Sequence, residues 1–417
     1  MLARAKILTV GTILAAAPLL LTATAATSQE VIDHVQLSTG DIFAQNQLNV
    51  VENNGLTQAV TTSNGNILQT GNKHIDATVT SRQTLEGDTR ALTTINGTAP
   101  AEDYRNSLGT GVHVTTQTMG NYGAHTAYQG NAVADTHQTV TADRVHAGTQ
   151  INSNNNSIYR SGEANTVAIA NYQAYQVDQG RLESTAVQES SSETRARTGV
   201  VLRYSPSPNL YTANAISNNY TSNASDRGSQ EHAVDQTVTG RTESYVSANL
   251  GNSWHVANES TATGNNISLY NTGGSLVTET NQSNQGQVQS TSVMTAYQYG
   301  EAHSQAYGVG NIATIGNGDI YLNIDNNQFN SGPIDTVASF ESQGSGYDAY
   351  VTADAVGNSV MGYACGDCRA DMTVLNNQVN NGNVNAAANV NITSGRSIVS
   401  TSRAVGNSAT YYVTGNQ

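Results

Sequence analysis

The sequence predicts an all-β fold, a β-solenoid (β-helix) of about eight repeats of about 48 residues, because two sequence markers recur along it in phase. The first marker is an Asn-Gln-x-Asn motif whose glutamines lie 46 and 50 residues apart. It occurs at Asn281-Gln282, Asn327-Gln328 and Asn377-Gln378. The same glutamine series continues upstream at Gln83, Gln138, Gln188 and Gln236.

The second marker is a small residue followed by asparagine. It occurs at Gly71-Asn72, Gly120-Asn121, Ala170-Asn171, Ser217-Asn218, Gly264-Asn265, Gly310-Asn311, Gly357-Asn358 and Gly406-Asn407. In four repeats the small residue precedes the next marker glutamine by 18 residues, whereas the first copy, Gly71-Asn72, is out of line at 12. Two independent markers that hold phase indicate a stacked repeat.

The chain is polar, with only 12% charged residues and many Asn, Gln, Ser and Thr. Such a composition is also found in disordered chains, but β-branched and polar residues alternate between Gln287 and Val293, which favours short half-buried strands. We expect aligned amides to hydrogen-bond from coil to coil as ladders. The ladder residues would be Asn281, Gln282, Asn327, Gln328, Asn377 and Gln378 of the first marker and Asn265, Asn311, Asn358 and Asn407 of the second.

The sequence indicates the number of coils in each repeat less directly than it indicates the repeat itself. The repeat is long for one narrow rung, so our preferred interpretation is two rungs of roughly 23 to 24 residues per repeat. This would make a rod of about 75 Å, against about 40 Å for one wide coil per repeat. The glycines that follow the marker glutamine are expected at corners with positive φ. They are Gly240, Gly286, Gly332 and Gly382.

The predicted organisation is a signal peptide over residues 1–25, a degenerate amino-terminal cap over 26–70 and a repetitive solenoid over 71–417. The apolar run from Ile7 to Leu21, preceded by Arg4 and Lys6, carries the signal peptide prediction. Within the cap, Asn46-Gln47 copies the first marker. Surface insertions are expected over 100–109 and 204–208.

The formal net charge is −14. Binding of nucleic acid releases counterions through clusters of basic residues, so this acidic chain predicts no nucleic-acid partner. Attraction to anionic lipid is disfavoured for the same reason.

The sequence offers few groups for chemistry, and it predicts no cofactor and no metal site. Cys365 and Cys368 are expected to form a local disulfide in an exported protein, with redox and zinc roles as weaker alternatives. The nine histidines show no metal-ligand spacing, so we expect exposed side chains. The stretch from Gly316 to Leu322 resembles one calcium-binding nonapeptide without a tandem copy.

The chain as a whole resembles a known family. The apolar amino-terminal run, the phased Asn-Gln-x-Asn and Gly-Asn markers and the acidic, tyrosine-bearing repeats look like the holdfast attachment (anchor) protein D family of stalked bacteria. The resemblance implies a non-enzymatic, outer-membrane-associated protein on the cell surface that anchors an adhesive polysaccharide holdfast to the stalk or pole. The implied partners are the adhesive exopolysaccharide, a smaller companion holdfast anchor protein and a curli-type secretion lipoprotein of the outer membrane.

Two alternatives remain open. A curli-like amyloid fibre subunit would self-associate through segments such as 376–391. A β-helix polysaccharide lyase or hydrolase would need two carboxylates, with Asp348 and Asp354, or Asp367 and Asp371, as candidates.

An anchor without a single pocket would hold polysaccharide through many weak contacts that act together. We expect these contacts from exposed tyrosines. The candidates are Tyr211, Tyr220, Tyr297, Tyr299 and Tyr307.

Overall fold

A computed structural model describes residues 29–100, 106–206, 208–319, 321–365 and 370–413. These residues form twenty-one β-strands and no helix, which confirms the all-β prediction. They accordingly include no helix long and apolar enough to span a membrane. Residues 1–25, on which the signal peptide prediction falls, lie outside the described ranges, as do 101–105 of the first expected insertion.

One sheet, here called the short sheet, contains one strand from each coil. Its eight parallel strands are β1 (Glu30–Ser38), β4 (Ala77–Leu85), β7 (Ala132–Val140), β9 (Arg181–Ser190), β12 (Ser229–Val238), β14 (Ser275–Asn284), β16 (Tyr321–Asn330) and β19 (Asp371–Asn380).

The rest of each coil forms two further segments, here called the first arm and the second arm. The first arm contains β2 (Ile42–Val50), β5 (Thr89–Gly97), β10 (Glu193–Ser205), β17 (Ile334–Ser342), β20 (Val384–Ile392) and the first parts of the long strands β8 (Arg144–Asp178), β13 (Thr242–Asn271) and β15 (Val288–Asn317). The second arm contains β3 (Leu56–Lys73), β6 (Ser107–Tyr128), β11 (Asn209–Ser225), β18 (Gly346–Ala364), β21 (Ser397–Val413) and the later parts of β8, β13 and β15.

Each repeat is one wide coil, so the expectation of two rungs per repeat is wrong. Gln236 pairs in register with Gln282, and Gln282 with Gln328, which places residues a full repeat apart on adjacent strands. Seven steps between eight strands give the solenoid a height of about 34 Å at about 4.8 Å per step. A wide coil is possible because it is flattened, with the second arm facing both the first arm and the short sheet.

The second arm bends at the small residue of the second marker. In β11, Tyr211, Ala213 and Ala215 point inward before the bend, and Asn218 and Tyr220 point inward after it. A Cβ on Gly264 would lie 2.5 Å from the carbonyl oxygen of Gly310, which explains why the residue at the bend is small. The bend shifts the inward alternation by one residue and turns asparagine into the core.

The core has two halves on either side of this bend. In one half the first arm packs on the near half of the second arm, as Val200 does beside Tyr211. In the other half the short sheet packs on the far half of the second arm, where Leu182, Ile267 and Leu322 lie. The row of asparagines and glutamines lies between the two apolar clusters.

The amino-terminal coil follows the same register, and this corrects the marker assigned there. Gln36, not Gln47, pairs with Gln83, while Asn46-Gln47 lies on the first arm opposite Thr93 and Thr94. Asn66 likewise replaces Asn72 as the first member of the second marker, because Asn66 pairs with Asn121. The first coil is thus an ordinary coil in register rather than a shifted copy.

The corner glycines have a different cause from the one expected. Among the described glycines, only Gly109 and Gly274 have positive φ. The expectation of positive φ is therefore wrong for the four corner glycines, Gly240, Gly286, Gly332 and Gly382. These glycines stack from coil to coil instead. A Cβ on Gly286 would lie 1.8 Å from the carbonyl oxygen of Gly240, and one on Gly332 would lie 1.9 Å from that of Gly286. Close approach of stacked turns therefore requires glycine here.

Candidate functional site

A column of glutamines runs through the interior of the short sheet. Gln236 donates a hydrogen bond from Nε2 to the Oε1 of Gln188 at 2.8 Å, and Gln282 donates to Gln236 at 2.9 Å. The second Nε2 hydrogen of Gln236 is donated to the carbonyl of Asn266 on the second arm at 2.9 Å. Eight glutamines make this column: Gln36, Gln83, Gln138, Gln188, Gln236, Gln282, Gln328 and Gln378.

A column of asparagines faces the glutamines from the bend of the second arm. Asn265 donates from Nδ2 to the Oδ1 of Asn311 at 2.8 Å and to the carbonyl of Ser283, the residue after a column glutamine, at 3.0 Å. The eight members are Asn66, Asn121, Asn171, Asn218, Asn265, Asn311, Asn358 and Asn407. Each column thus also binds the backbone of the facing sheet, which joins the two layers.

The first asparagine of the Asn-Gln-x-Asn motif points to the opposite face of the short sheet from the glutamine that follows it. Asn281, Asn327 and Asn377 alternate with the column glutamines and point outward. Asn327 donates to Asn281 at 3.2 Å, and Asn281 donates to Asp235 at 2.9 Å. These asparagines form a surface row, separate from the interior columns.

A third interior column of hydroxyls was not foreseen. Thr198, Thr166 and Thr149 donate in turn, each at 2.7 Å, and the chain of hydroxyls crosses between the first and second arms at each step. It continues through Thr116, Thr93 and Thr61. Its members follow the repeat within each arm, Thr61, Thr116 and Thr166 on the second arm and Thr93, Thr149 and Thr198 on the first. The column becomes visible only when the two arms are known to face each other.

Three of the five expected glycan-binding tyrosines are not exposed. Tyr211 and Tyr220 are fully buried, and Tyr299 is almost fully buried with its ring packed edge-on against Phe340. Burial raises the pKa of the Tyr220 hydroxyl well above its usual value. These rings fill the core beside the alanines and serines of the second arm, so the expectation that they contact glycan is wrong. Tyr307 is half-buried and Tyr297 is 58% exposed.

Exposed aromatic rings gather along two opposite edges of the solenoid. At the edge where the second arm leads into the short sheet, Tyr363 and Tyr412 stack with centroids 6.0 Å apart, in the same register column as Tyr270. The edge where the first arm turns into the second arm is here called the aromatic corner. Trp254 and Tyr347 are each 50% exposed, and their rings stack with centroids 6.2 Å apart although one coil separates them. Gly300 lies between them in register, where a Cβ would be 2.8 Å from the Trp254 ring. The missing side chain lets the two rings come together. Other members are Tyr159, Tyr204 and Tyr297.

A second glycine opens a hollow in this corner. Gly251 lies between Arg203 and Tyr297 in register and leaves a shallow cavity of about 420 Å³. Ser157, Tyr159, Tyr204 and Asn252 complete its walls. Apolar ring faces beside hydroxyl, amide and guanidinium groups match the mixed surface of a sugar, which has apolar C–H faces and polar edges.

An arginine extends the stacked rings of the corner. The guanidinium of Arg396 lies 5.6 Å from the centroid of the Tyr347 ring and pairs with Asp348. Asp354 pairs with Arg403 at 3.1 Å. The side chains of Asp348 and Asp354 thus meet arginines of the last coil, and the Arg396 pair lowers the pKa of the Asp348 carboxyl.

The two carboxylates proposed for glycan cleavage do not form a catalytic pair. Asp348 and Asp354 lie six residues apart on one extended strand, about 20 Å at the usual rise. Glycosidase carboxylates lie roughly 5 to 9.5 Å apart. Of the second candidate pair, Asp371 begins β19 and is exposed, and Asp367 lies outside the described residues.

Two histidines lie in the core, so the expectation of exposed histidines is wrong for them. His232 accepts from the Ser184 or Tyr220 hydroxyl at Nδ1 and contacts Oε1 of Gln230 at 2.9 Å through Nε2. Burial lowers the pKa of His232 to about 3 and that of His125 to about 4, so both are neutral near pH 7.

The remaining candidates have simple placements. Cys365 follows β18 and is disulfide-bonded, and Cys368 lies outside the described residues. No group of three or more histidine, cysteine, aspartate or glutamate side chains in the described ranges is arranged to hold a metal ion.

Comparison with known proteins gives one family. The model of the family described as holdfast attachment protein D matches residues 51–333, which is more than half of the chain. No curated protein and no solved structure matches the chain.

Proposed function

The chain belongs to the holdfast attachment protein D family, and on this premise we propose that it is a non-enzymatic cell-surface anchor that holds an adhesive polysaccharide at the aromatic corner. The observation that carries the proposal is the stacked pair of exposed rings, Trp254 and Tyr347, brought together across Gly300. Large apolar rings exposed in water cost free energy unless a ligand covers them.

The shape of the corner supports a polymer rather than a small molecule as the ligand. The rings and the Gly251 hollow follow one another over several coils along one edge of the solenoid. A polysaccharide lying along this edge would meet a ring or a polar group at successive coils. Weak contacts repeated in this way give strong retention through effective concentration.

The absence of a suitably spaced carboxylate pair at Asp348 and Asp354 supports an attachment role over glycan cleavage. We place the binding at the aromatic corner because it combines stacked exposed rings with the Gly251 hollow. An anchor needs binding without turnover, and shallow, open contacts suit that requirement.

The place of action and the protein partners are proposed from family membership. The chain would be exported by a signal peptide and held at the outer surface of the outer membrane, at the stalk or pole. A companion holdfast anchor protein and a curli-type secretion lipoprotein would hold it there.

Deletion of the gene in its host, followed by separate staining of adhesive on the cells and on the growth surface, tests the proposal. Loss of an anchor leaves adhesive on the surface and bare cells. Loss of a synthesis enzyme would leave no adhesive in either place, and that result would contradict the proposal.

Complementation then locates the binding surface. A triple variant of the corner, Trp254→Ala, Tyr297→Ala and Tyr347→Ala, should leave adhesive behind on the growth surface as the deletion does. The matched control changes three exposed tyrosines at the opposite corner, where the second arm leads into the short sheet: Tyr128→Ala, Tyr270→Ala and Tyr321→Ala. This control should hold adhesive normally if both variants reach the cell surface in equal amount.

A further inference from the structure

We infer that folded copies of this chain stack head to tail, with the last coil of one copy (β19, β20 and β21) pairing in parallel on the first coil (β1, β2 and β3) of the next. The inference rests on the two ends of the solenoid and is independent of the proposed polysaccharide binding.

Both ends present open sheet edges. Within the described residues, β1, β2 and β3 pair on one side only, with β4, β5 and β6, and β19, β20 and β21 pair only with β16, β17 and β18. Open edges with unpaired backbone groups recruit further strands unless something covers them. The exposed apolar side chains also concentrate at the ends, as Val35, Phe43 and Val60 do in the first coil and Leu375 and Ile398 do in the last.

The polarity of the two interior columns selects head-to-tail pairing. Every column glutamine donates towards the preceding coil, and every column asparagine donates towards the following coil. At the last coil, the Oε1 of Gln378 and an Nδ2 hydrogen of Asn407 are therefore directed to the open end. At the first coil, Gln36 offers an Nε2 hydrogen and Asn66 offers Oδ1. Head-to-tail stacking joins these groups as donor to acceptor in both columns.

The same register continues the apolar layers. Alignment of Gln378 with Gln36 places Val374 over Ile32, and alignment of Val384 with Ile42 places Val390 over Leu48 and Ile392 over Val50. In the hydroxyl column, Ser402 would meet Thr61. The junction thus repeats the contacts found between coils inside one chain.

Charge favours a second copy in this orientation. The first coil carries Glu30, Asp33, Asp41 and Glu52 against Lys73 and is net acidic. The last coil carries Arg396 and Arg403 against Asp371 and is net basic. Two first coils would repel each other, whereas the last coil adds no comparable negative charge, its two arginines being paired with Asp348 and Asp354 of the preceding coil. A heterologous contact of this kind does not close on itself and gives linear stacks.

Paired cysteines test the register. In the inferred junction the outward residue Asn377 stands directly opposite Val35 of the next copy, a strand spacing of about 4.8 Å that suits a disulfide. Within one chain these positions lie at opposite ends of the solenoid, so a bond between them must be intermolecular. The chain without residues 1–25, carrying Asn377→Cys and Val35→Cys, should give disulfide-linked dimers, trimers and longer stacks on non-reducing gels.

The control moves one cysteine along the same face. Asn377→Cys with Val31→Cys places the partner four residues away, about 13 Å along the strand, and should give few such stacks. Equal crosslinking of both variants, in chains whose circular dichroism shows an intact fold, would overturn the inference.

A second measurement needs no cysteines. Sedimentation of the unmodified chain should show mass rising with concentration, and Val374→Asp at the open end should return it to monomer. A wild-type chain that stays monomeric at every concentration would also overturn the inference. Because Val374 lies on the short sheet, away from the aromatic corner, the monomeric variant should still bind polysaccharide if the proposed function holds.

Discussion

The interior amide columns and the aromatic corner show opposite relations to the repeat. Gln236 and Asn265 each occupy a position that the same residue type fills in every coil, and both side chains are buried with three partners. Trp254, Tyr297 and Tyr347 belong to three successive coils, occupy two columns and are exposed. Strict repetition therefore identifies what holds the coils together, and departure from repetition identifies the surface available for binding.

The largest expected effect is from a change in the middle of the glutamine column. Gln236→Leu removes the hydrogen-bond partners of Gln188, Gln282 and the Asn266 carbonyl at once. Each buried group left unpaired costs about 1 to 3 kcal/mol, so the free energy of unfolding should fall by about 3 kcal/mol or more. Chemical denaturation measures it. The outward control Asn281→Leu should cost less than about 1 kcal/mol, and an equal cost for both would contradict the inward assignment.

A smaller loss is expected at a corner. Gly286→Ala places a methyl group against the Gly240 carbonyl, which must shift, and such overpacking costs about 1 to 3 kcal/mol. Gly40→Ala is the matched control at the first coil, where nothing lies within 4 Å of the added Cβ. Thermal unfolding of both variants, in protein dilute enough to be monomeric, compares the sites. Unchanged stability in Gly286→Ala would mean that the turns do not stack as closely as described.

Acid should weaken the core through the buried histidines. The folded-state pKa values of His232, about 3, and His125, about 4, lie below the usual 6.5. Between these folded-state values and pH 6.5, the unfolded chain therefore binds more protons than the folded chain. Their contribution is present above about pH 6.5 and is lost as the pH falls, by about 1.4 kcal/mol per unit for each histidine. Denaturation between pH 7 and pH 4.5 measures the slope. His232→Gln should reduce the slope without abolishing it, because burial lowers the pKa of His125 and of His146 to about 4 as well. An unchanged slope would assign the acid sensitivity to other groups.

The smallest stability effect is expected at the open end of the column. Gln378→Leu removes one donor to Gln328 and one to the Ser408 carbonyl, both only partly buried. Water can replace these bonds, so the loss should stay below about 1 kcal/mol at concentrations where the chain is monomeric. Denaturation of dilute protein checks this. A loss as large as that of Gln236→Leu would indicate that something covers the end in solution.

Much of the fold could be predicted from the sequence because the residues of the interior amide columns recur along the chain at the repeat spacing. The period, the strands and the all-β class are encoded by repeated Gln and Asn at fixed spacing. The single wide coil was not, since a period does not tell how many turns it contains. The first members of both markers could have been found from spacing alone. Gln36 lies 47 residues before Gln83, and Gly65 of the Gly65-Asn66 pair lies 18 residues before Gln83.

For the candidate site, the sequence predicted the type of side chain but not the individual residues. Aromatic side chains were expected to bind glycan, but alternation did not separate buried Tyr211 and Tyr220 from exposed Tyr297, because the bend at Ser217-Asn218 shifts the inward phase. Trp254 and Gly300 can be recognised as parts of one site only when the register places them on neighbouring coils. Such a relation depends on three-dimensional stacking and leaves no local motif.

The central claim is that the repeated interior supplies stability and the aromatic corner supplies attachment. Titration of purified holdfast polysaccharide with two variants tests it most directly: the triple variant Trp254→Ala, Tyr297→Ala and Tyr347→Ala, and the opposite-corner variant Tyr128→Ala, Tyr270→Ala and Tyr321→Ala. The account predicts at least about a tenfold loss of affinity, about 1.4 kcal/mol, for the first variant and little change for the second, with both retaining wild-type unfolding curves. Wild-type affinity in the first variant, or an equal loss in both, would contradict it.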